Sequence, residues 1–318
     1  MGYCNGYRSM KKLIYSLSTR TGAVKLSMVV IICLIILKVV VSIISSSISI
    51  FAQAADSFLD IFSIGITFLA LKMAGTPADE EHPFGHGKAE GLAAAVQAML
   101  VLGAGGFIIY SAIQRIIHNI AIEPDEGMAV MLISIIASFF LSRHLRRVAK
   151  VTGSLAIDAS ARNISADVYS AAGVLLGLLV VRITNLVILD PIIALIMAGF
   201  VLKAGYEVAF NAIHELIDHA LPKEEQEILN SCLKGFNTEL VDFHAIRSRR
   251  SGSDRFIDLH IVTPRNYSIE NAHAICDRLE MTVTTKITNA HIMIHPEPCN
   301  SGYCIHCSIK ICDLRSTR

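Results

Sequence analysis

The chain has 318 residues, of which 53% are hydrophobic and only 17% are charged, and its mean hydropathy is +0.53. A water-soluble domain of this size needs more charge on its surface, so the composition excludes an ordinary soluble protein. The net charge of +1 gives no whole-chain attraction for nucleic acid, and no nucleic-acid partner is expected. Nearly all long apolar stretches precede residue 210, which predicts a membrane domain followed by a soluble one.

Six apolar segments are long enough to cross a bilayer, which takes about 20 residues of helix. They are predicted at Val24–Ser46, Ile48–Met73, Glu90–Ile116, Met128–Phe140 (extending toward Arg146), Ser154–Val181 and Leu186–Val208. Residues 1–22 are interpreted as a cytosolic segment, because the first apolar stretch is too long for a cleaved signal peptide. The membrane domain is therefore expected at residues 23–210 as a six-helix bundle.

The connections between these helices alternate in charge. The N-terminal segment and the start of the first helix carry Lys11, Lys12, Arg20 and Lys25. The connection between the fourth and fifth helices carries Arg143, Arg146, Arg147 and Lys150. The connection between the third and fourth helices is acidic instead, with Glu123, Asp125 and Glu126. The positive-inside rule then places both termini and the connection between the second and third helices in the cytoplasm. The cell membrane is the expected location.

The second predicted helix carries two carboxylates, Asp56 and Asp60, which are four residues apart and so lie on one helix face. Ionisable groups at this depth are costly and indicate a functional site. Two like charges so close would repel, and a bound divalent cation would remove the conflict. The alternative is a helix cap or a salt bridge to another helix, for which Lys38 is the candidate.

The connection after this helix, GTPADEEHPFGHGKAEG, contains Asp79, His82 and His86. One carboxylate and two imidazoles suit a borderline divalent ion such as Zn²⁺. The alternative is a solvated polar loop that binds nothing.

The fifth predicted helix repeats the spacing of the second with Asn163 and Asp167. Together the two helices offer four oxygen-bearing side chains, which could form a tetrahedral metal site at the centre of the bundle. A single buried Asn more often hydrogen-bonds across helices, so the pairing carries the prediction. Asp158 is half a turn out of phase with Asp167 and is expected to face elsewhere.

Residues 211–298 are predicted to form a cytosolic α+β domain. Its elements are expected at Lys223–Lys234 (helix), Asp242–Arg250 and Arg255–Thr263 (strands around a turn at Ser251–Asp254), Ile269–Thr285 (helix) and Ala290–His295 (strand). The order αββαβ is typical of an open ferredoxin-like sandwich.

The tail, residues 299–318, is rich in cysteine and has no clear fold. Cys304 and Cys307 form a C-x-x-C pair with His306 between them, which could bind a soft metal ion. The alternative is a disordered terminus.

Three of these motifs together resemble the cation diffusion facilitator family of metal–proton antiporters. They are HPFGHGKAE (His82–Glu90), the D-x-x-x-D of the second helix, and DVYSAAGVLLGL (Asp167–Leu178). The resemblance implies a transport site of Asp56, Asp60, Asn163 and Asp167, a second site at Asp79, His82 and His86, and a homodimer. It also implies a charge interlock between Lys88 and Asp218 near the membrane–cytosol junction.

The resemblance further implies a metal site in the cytosolic domain, where bound metal tightens the dimer and adjusts transport. The matching positions are His244, His260, His273, His295 and Glu297. The alternative for any one of them is an ordinary surface histidine.

The expected substrate is a divalent transition-metal cation, expelled in exchange for protons. Zinc-handling family members have His where Asn163 stands, and an amide oxygen makes the site harder, which favours Mn²⁺ or Fe²⁺ over Zn²⁺. No G-x-x-x-x-G-K-[ST] nucleotide motif is present, so ATP drive and an organic cofactor are not expected. Two other classes stay open at this point: a membrane metalloenzyme, and a metal sensor or scaffold that does not transport.

Overall fold

The structure is a computed structural model that describes residues 19–45, 48–118, 128–184, 186, 188–300 and 302. Several predictions lie outside the described residues: the start of the basic N-terminal segment, the acidic connection around Glu123, and the tail ligands Cys304, His306 and Cys307. The chain divides into two compact units, Met1–Ile213 and His214–Arg318, and each is considered by itself.

The first unit is built from six long helices. They are α1 (Arg20–Ser45), α2 (Ile48–Ala74), α3 (Lys88–His118), α4 (Met128–Thr152), α5 (Leu155–Thr184) and α6 (Leu189–Leu216). Even α4, with 25 residues, rises about 37 Å, enough to cross a hydrocarbon core. Among the described residues, three segments are also apolar enough to span a membrane by composition: Arg20–Val41, Lys88–His118 and Pro191–Leu216.

The fourth helix is longer than its apolar segment predicts. The sequence-based boundary was Phe140, with an extension toward Arg146, whereas α4 continues to Thr152. Its last turns carry Arg143, Arg147 and Lys150, which lower the hydropathy but are good helix formers. The basic residues therefore mark the end of the apolar segment and not the end of the helix.

Close approach between α3 and α6 depends on small residues. A Cβ atom on Gly105 of α3 would lie 2.7 Å from Leu202 Cδ2 of α6. The arrangement is reciprocal, because a Cβ atom on Gly205 of α6 would lie 2.9 Å from Leu102 Cδ2 of α3. Each leucine thus packs over the glycine of the other helix, as is typical of helix pairs in membranes.

A buried polar cluster joins α2, α3 and α5. Gln97 of α3 donates a hydrogen bond from Nε2 to Thr67 Oγ1 of α2 and accepts one from Ser160 Oγ of α5, at 3.3 Å. Thr67 Oγ1 and Ser160 Oγ are 2.6 Å apart, and Gln97 and Thr67 are both fully buried. Because each polar group finds a partner, the cluster fixes the three helices relative to one another at this level.

A second buried contact links the ends of the helices. Glu90 of α3 is fully buried and its Oε1 lies 3.1 Å from Arg20 Nη1 of α1. Arg20 also donates from Nη2 to the Thr152 carbonyl at 3.1 Å, and Ser154 donates to the other Glu90 oxygen. Three helices and the connection between α4 and α5 are therefore tied to one carboxylate.

The second unit contains α7 (Lys223–Lys234), β1 (Asp242–Ser251), β2 (Asp254–Thr263), α8 (Ile269–Lys286) and β3 (Ala290–Pro298). The order αββαβ matches the prediction, and β3 is three residues longer than expected. The sheet has the order β1-β2-β3, with β1 antiparallel and β3 parallel to β2. The predicted hairpin turn is present, and Gly252 adopts the positive φ of 60° that the turn requires.

One face of this sheet forms the apolar core. Ile257, Leu259 and Ile261 alternate along β2 and are almost completely buried. They pack with Leu279 of α8 and Leu233 of α7. The intervening residues of β2 point to the opposite face, and His260 is one of them.

Candidate metal-binding sites

In the first unit, Met1–Ile213, which we call the membrane unit, α2 and α5 bring predicted ligands together. Asn163 Nδ2 of α5 lies 3.4 Å from Asp60 Oδ1 of α2 and donates to it. Asp167 follows one turn later on α5, and all three residues line one cavity of about 600 Å³. The side chain of Asp56 lies outside the described residues, although its backbone belongs to α2. The structure thus places three of the four predicted ligands in one cavity.

Lys38, the predicted competitor, lies beside the same carboxylates. It lines a smaller cavity of about 60 Å³ together with Asp60 and Asp167, and its Nζ donates to Ser57 Oγ at 2.7 Å. An ammonium group here supplies positive charge to the site. The salt-bridge alternative and the metal site therefore use the same carboxylates, and a bound dication would compete with Lys38 for them.

Asp158 faces elsewhere, as its phase predicts. Its Oδ2 accepts from Arg162 Nε at 2.9 Å, and Arg162 also donates to Glu207 of α6. Neither Asp158 nor Arg162 lines the two cavities that contain Asp60. The acidic groups of α5 thus have separate environments, and only Asp167 belongs to the candidate site.

The large cavity extends from the site in one direction. Its lining on α3 runs from Leu100 to Arg115, toward the end of that helix at His118. In the other direction along α3, toward Lys88, the buried Gln97 cluster lies between the site and the helix start. Along α3, the site therefore has a cavity on one side and a buried polar cluster on the other.

The connection between α2 and α3 gathers its three predicted ligands. Asp79 Oδ1 lies 3.3 Å from His82 Nδ1, and Asp79 Oδ2 lies 3.4 Å from His86 Nε2. The backbone N–H of His82 donates to Asp79 Oδ1 at 2.6 Å, and this contact lowers the pKa of the carboxyl below its ordinary value, with help from the two imidazoles. One ligand atom from each residue lies within 4.8 Å of the others, which is close enough to share an ion. His86 Nδ1 is buried and has no hydrogen-bond partner among the described residues.

In the second unit, His214–Arg318, which we call the cytosolic unit, the strand register aligns three histidines. His244 of β1 pairs with His260 of β2, and His260 pairs with His295 of β3, so the three side chains share one face of the sheet. Glu297 lies two residues beyond His295 on that face. Its carboxylate is 2.8 Å from His260 Nδ1 and 3.5 Å from His244 Nε2. His244, His260 and Glu297 form a compact candidate metal group, with His295 Nε2 3.9 Å from Glu297 Oε1.

His273 does not join this group within one chain. It lies in the first turns of α8, is 74% exposed, and its nearest acidic atom is Asp277 Oδ1 at 3.8 Å. It lines a cavity of about 490 Å³ that also includes Glu297. The predicted five-residue set is therefore four residues on the sheet face plus one that stands apart on a helix.

The predicted charge interlock involves residues of different units. Lys88 begins α3, and Asp218 follows α6 in a left-handed conformation with φ 59°. Within the cytosolic unit, Asp218 Oδ1 accepts from Arg249 Nη1 at 3.3 Å. Pairing of Lys88 with Asp218 stays a prediction.

Sequence reasoning missed the buried polar groups near the membrane site. Gln97, Thr67 and Ser160 carry no metal-ligand signature, and Glu90 was noted only as part of the HGKAE motif. The available signal was a polar side chain inside an otherwise apolar helix, which indicates an inter-helix contact or a functional site. Spacing along one helix does not identify the partner on another, so the cluster needed the structure.

Comparison with known proteins covers both units. Residues 24–217 match the family model described as the cation efflux transmembrane domain, and residues 221–299 match that of the cation efflux protein, cytoplasmic domain. An uncharacterised transporter of Synechocystis is 29% identical over 256 residues, covering 80% of this chain and 83% of the relative. The cation-efflux pump FieF of Pectobacterium carotovorum is 32% identical over 255 residues, covering 80% and 84%. Among solved structures, the zinc form of the putative zinc transporter CzrB matches 26% of this chain and 92% of its own, at 30% identity and a TM-score of 0.25.

Proposed function

Because the chain belongs to the cation diffusion facilitator family of cation-efflux proteins, we propose that it expels divalent transition-metal ions from the cytoplasm in exchange for protons. The family makes it a membrane transporter of divalent metal cations and not an enzyme, and its dimerisation-type cytoplasmic domain supports a homodimer. The proposal adds that α1–α6 all cross the cell membrane, that both termini are cytoplasmic, and that the cytosolic unit is a ferredoxin-like sandwich.

The observation that carries the proposal is the meeting of Asp60 and Asn163, with Asp167, in one cavity between α2 and α5. Carboxylates in a membrane are costly unless they serve a site, and two of them in one cavity attract a dication. Carboxylates must lose their protons to bind a metal ion. Proton binding from one side and metal binding from the other would therefore exchange the two cations at one site, with Asp56 as the proposed fourth ligand.

The polar contacts on one side of the site support alternating access. Release of the metal ion would occur through the cavity lined by α3 between Leu100 and Arg115. Cytosolic entry would require Gln97 to separate from Thr67 and Ser160, which close the opposite side. Because these contacts are few and local, a small rotation of helices is enough to exchange one open side for the other.

The metal preference is proposed from the donor atoms. An amide binds a metal ion through its oxygen, so Asn163 offers a harder donor than imidazole. Oxygen donors favour Mn²⁺ or Fe²⁺ over Zn²⁺ at this site. The borderline ions would instead be held outside the bundle, where Asp79, His82 and His86 form one group and His244, His260 and Glu297 form another. We propose that the first passes metal toward the membrane site and that the second responds to the cytosolic metal concentration.

Uptake into proteoliposomes tests the transport proposal. Radioactive Mn²⁺ flux is measured with and without an imposed pH gradient, for the wild type, Asp60→Asn and Asp158→Asn. Asp60→Asn should lower flux by about 100-fold or more, because loss of a metal ligand removes binding and proton exchange together. Asp158→Asn is the matched control, since this carboxylate pairs with Arg162 away from the cavity. Equal flux in both variants, or wild-type flux that ignores the pH gradient, would contradict the proposal. Complete absence of flux with intact metal binding would instead favour a sensor or scaffold.

A panel of competing ions tests the metal preference. Wild type and Asn163→His are compared for inhibition of Mn²⁺ flux by Zn²⁺ and Fe²⁺. The imidazole should move the preference toward Zn²⁺ by about tenfold, since nitrogen is the softer donor. An unchanged preference would reject the argument from donor hardness and would leave the transport proposal intact.

A further inference from the structure

A basic pocket lies between α4 and α5 and contains none of the candidate metal ligands. It has a volume of about 450 Å³, and four cations line it: Arg143, Arg146, Arg147 and Lys150. Their spacing places them on one face of α4 over two turns. No acidic residue occurs between Glu126 and Asp158, so the helix supplies no charge to balance them.

The positive charge of this pocket is not balanced by ion pairs. Within the described part of the chain, Arg143, Arg147 and Lys150 make no ion pair, and Arg146 donates from Nη2 to the neutral hydroxyl of Ser165 at 2.8 Å. Like charges at spacings of three and four destabilise a helix, and a bound anion would reverse this repulsion. The pocket therefore favours an anionic ligand that several guanidinium groups contact together.

Besides the four cations and the hydroxyl groups of Ser142 and Ser165, the pocket has an apolar and aromatic wall. Phe139, Val168 and Tyr169 line the end that lies deeper along α4 and α5. Phe139 and its neighbour Phe140 are exposed on the helix surface, at 50% and 64%, in a unit that matches a transmembrane family model. An occupant thus meets cations at one end and an apolar, lipid-facing wall at the other.

We propose that this pocket binds the phosphodiester headgroup of an anionic phospholipid, with the acyl chains lying along Phe139. Basic pockets between helices at the cytoplasmic side of a membrane suit such headgroups, and Arg matches phosphate oxygens in a bidentate manner. A free phosphate would satisfy the cations but would leave the apolar wall without a partner. Because α4 packs on α5, the lipid would brace the helix that carries Asn163 and Asp167 without touching either residue.

Fluorescence quenching tests the pocket directly, because the chain contains no tryptophan. Phe139→Trp is reconstituted into phosphatidylcholine vesicles that carry either brominated phosphatidylglycerol or brominated phosphatidylcholine. Phe62→Trp is the matched reporter, since Phe62 is exposed on α2 and lies at a similar distance from the end of its helix. The anionic lipid should quench Trp at 139 more strongly than the zwitterionic lipid does, and should show no such preference at position 62.

Charge variants in the Phe139→Trp background identify the ligating residues. R143Q/R147Q should weaken the apparent affinity for phosphatidylglycerol about 25-fold, since each cation contributes about fivefold at a membrane surface. R143K/R147K keeps the charge but loses the bidentate contacts, so it should weaken the affinity less than R143Q/R147Q does. K25Q/K72Q removes the same charge from α1 and α2, at exposed positions outside the pocket, and should leave the preference unchanged. Metal flux of R143Q/R147Q in phosphatidylcholine vesicles, compared with wild type in the same vesicles, checks that the variant folds.

Two results would overturn the proposal. Equal quenching of Trp at 139 by the two brominated lipids means that the pocket does not select an anionic headgroup. Complete loss of the preference on addition of inorganic phosphate at low millimolar concentration means that a soluble phosphate, and not a lipid, occupies it. Persistence of the preference in phosphate, with loss in R143Q/R147Q only, supports the lipid.

Discussion

The two units of this protein bury their interiors by different means. The cytosolic unit has a core of large aliphatic side chains, such as Ile257, Ile261 and Leu279, with its polar cluster on the opposite sheet face. The membrane unit buries Gln97 and Glu90 completely, together with many alanines. In water, removal of apolar surface drives folding, whereas in a bilayer the lipid is as apolar as the core. Close approach and polar contacts must then specify how the helices meet.

The candidate sites follow the same division. On the sheet, the backbone ladder sets the register of His244, His260 and His295, so their alignment cannot change without breaking strand pairing. In the membrane unit, Asp60 and Asn163 meet only because α2 and α5 lie against each other. A helix pair can shift or rotate while each helix stays intact. This difference supports the proposed roles, which are metal sensing by the sheet and metal transport by the helix pair.

Truncation in the cytosolic core should give the largest loss of stability. Leu279→Ala removes a fully buried side chain and is expected to lower the free energy of unfolding by about 3 kcal/mol through lost burial and a residual cavity. Met281→Ala, on the same helix but 64% exposed, should change it by less than about 0.5 kcal/mol. Urea titration of the full chain measures the free energy of unfolding of both variants, and hydrogen exchange of the β2 amides reports the unfolding of this unit. Similar losses for the two variants would mean that the aliphatic core does not hold this unit together.

Removal of a buried charge should give the next largest effect, in the membrane unit. Glu90→Gln removes the fully buried carboxylate that pairs with Arg20. It is expected to lower the free energy of unfolding by about 2 kcal/mol. This is less than for a pair that is buried on both sides, because the Arg20 side chain is 27% exposed. Glu207→Gln breaks the contact with Arg162, where the carboxylate is 42% exposed, and should cost less than about 1 kcal/mol. Thermal unfolding of the full chain in micelles compares them. A larger loss for Glu207→Gln would show that the buried polar contacts do not specify the bundle.

The sheet site should lose metal affinity when its central ligand is removed. His260→Ala is made in an Asp60→Asn/His86→Ala background that silences the membrane site and the loop group. It is expected to weaken Zn²⁺ binding about tenfold or more by titration calorimetry. His291→Ala is the matched control, because His291 lies on the same face of β3 but stacks on Phe256 at a centroid distance of 5.1 Å. Equal effects of the two substitutions would mean that Zn²⁺ binds histidines of this face without a defined site.

The sequence predicted the elements well because each has a strong local signal. Apolar length located the long helices of the membrane unit, and alternation located β1 and β2 within a residue. The end of α4 was missed because hydropathy measures depth in the membrane, while helix formation depends on the backbone and tolerates Arg147 and Lys150. The end of β3 was missed because Pro296 and Pro298 usually break strands, yet here they continue the parallel pairing with β2.

The sequence predicted which residues belong to the candidate sites, but not which residues on other helices lie around them. Spacing placed Asn163 and Asp167 on one face of α5 and separated Asp158 from them, which the structure agrees with. The sequence offered Lys38 as a salt-bridge partner for the carboxylates of α2, and it lines a cavity with Asp60. No pattern along the chain indicated that Gln97 would contact Thr67 and Ser160. Those contacts depend on which helices become neighbours, and that is a property of tertiary packing.

The cytosolic core should also make a cysteine unreactive. Burial raises the pKa of the Cys276 thiol above its ordinary value of 9.0, and the charges of Asp277 and Glu280 act in the same direction. Since a raised pKa leaves less thiolate at neutral pH, alkylation by iodoacetamide should be slow at pH 7 and rise about tenfold per pH unit up to pH 9. Asp277→Asn should increase the rate a few-fold, whereas Glu270→Gln, in the first turn of the same helix, should not. Peptide mapping by mass spectrometry follows the rate at this one residue. Fast alkylation at pH 7 would mean that α8 opens away from the sheet, and the contrast between a rigid cytosolic unit and a movable membrane unit would be lost.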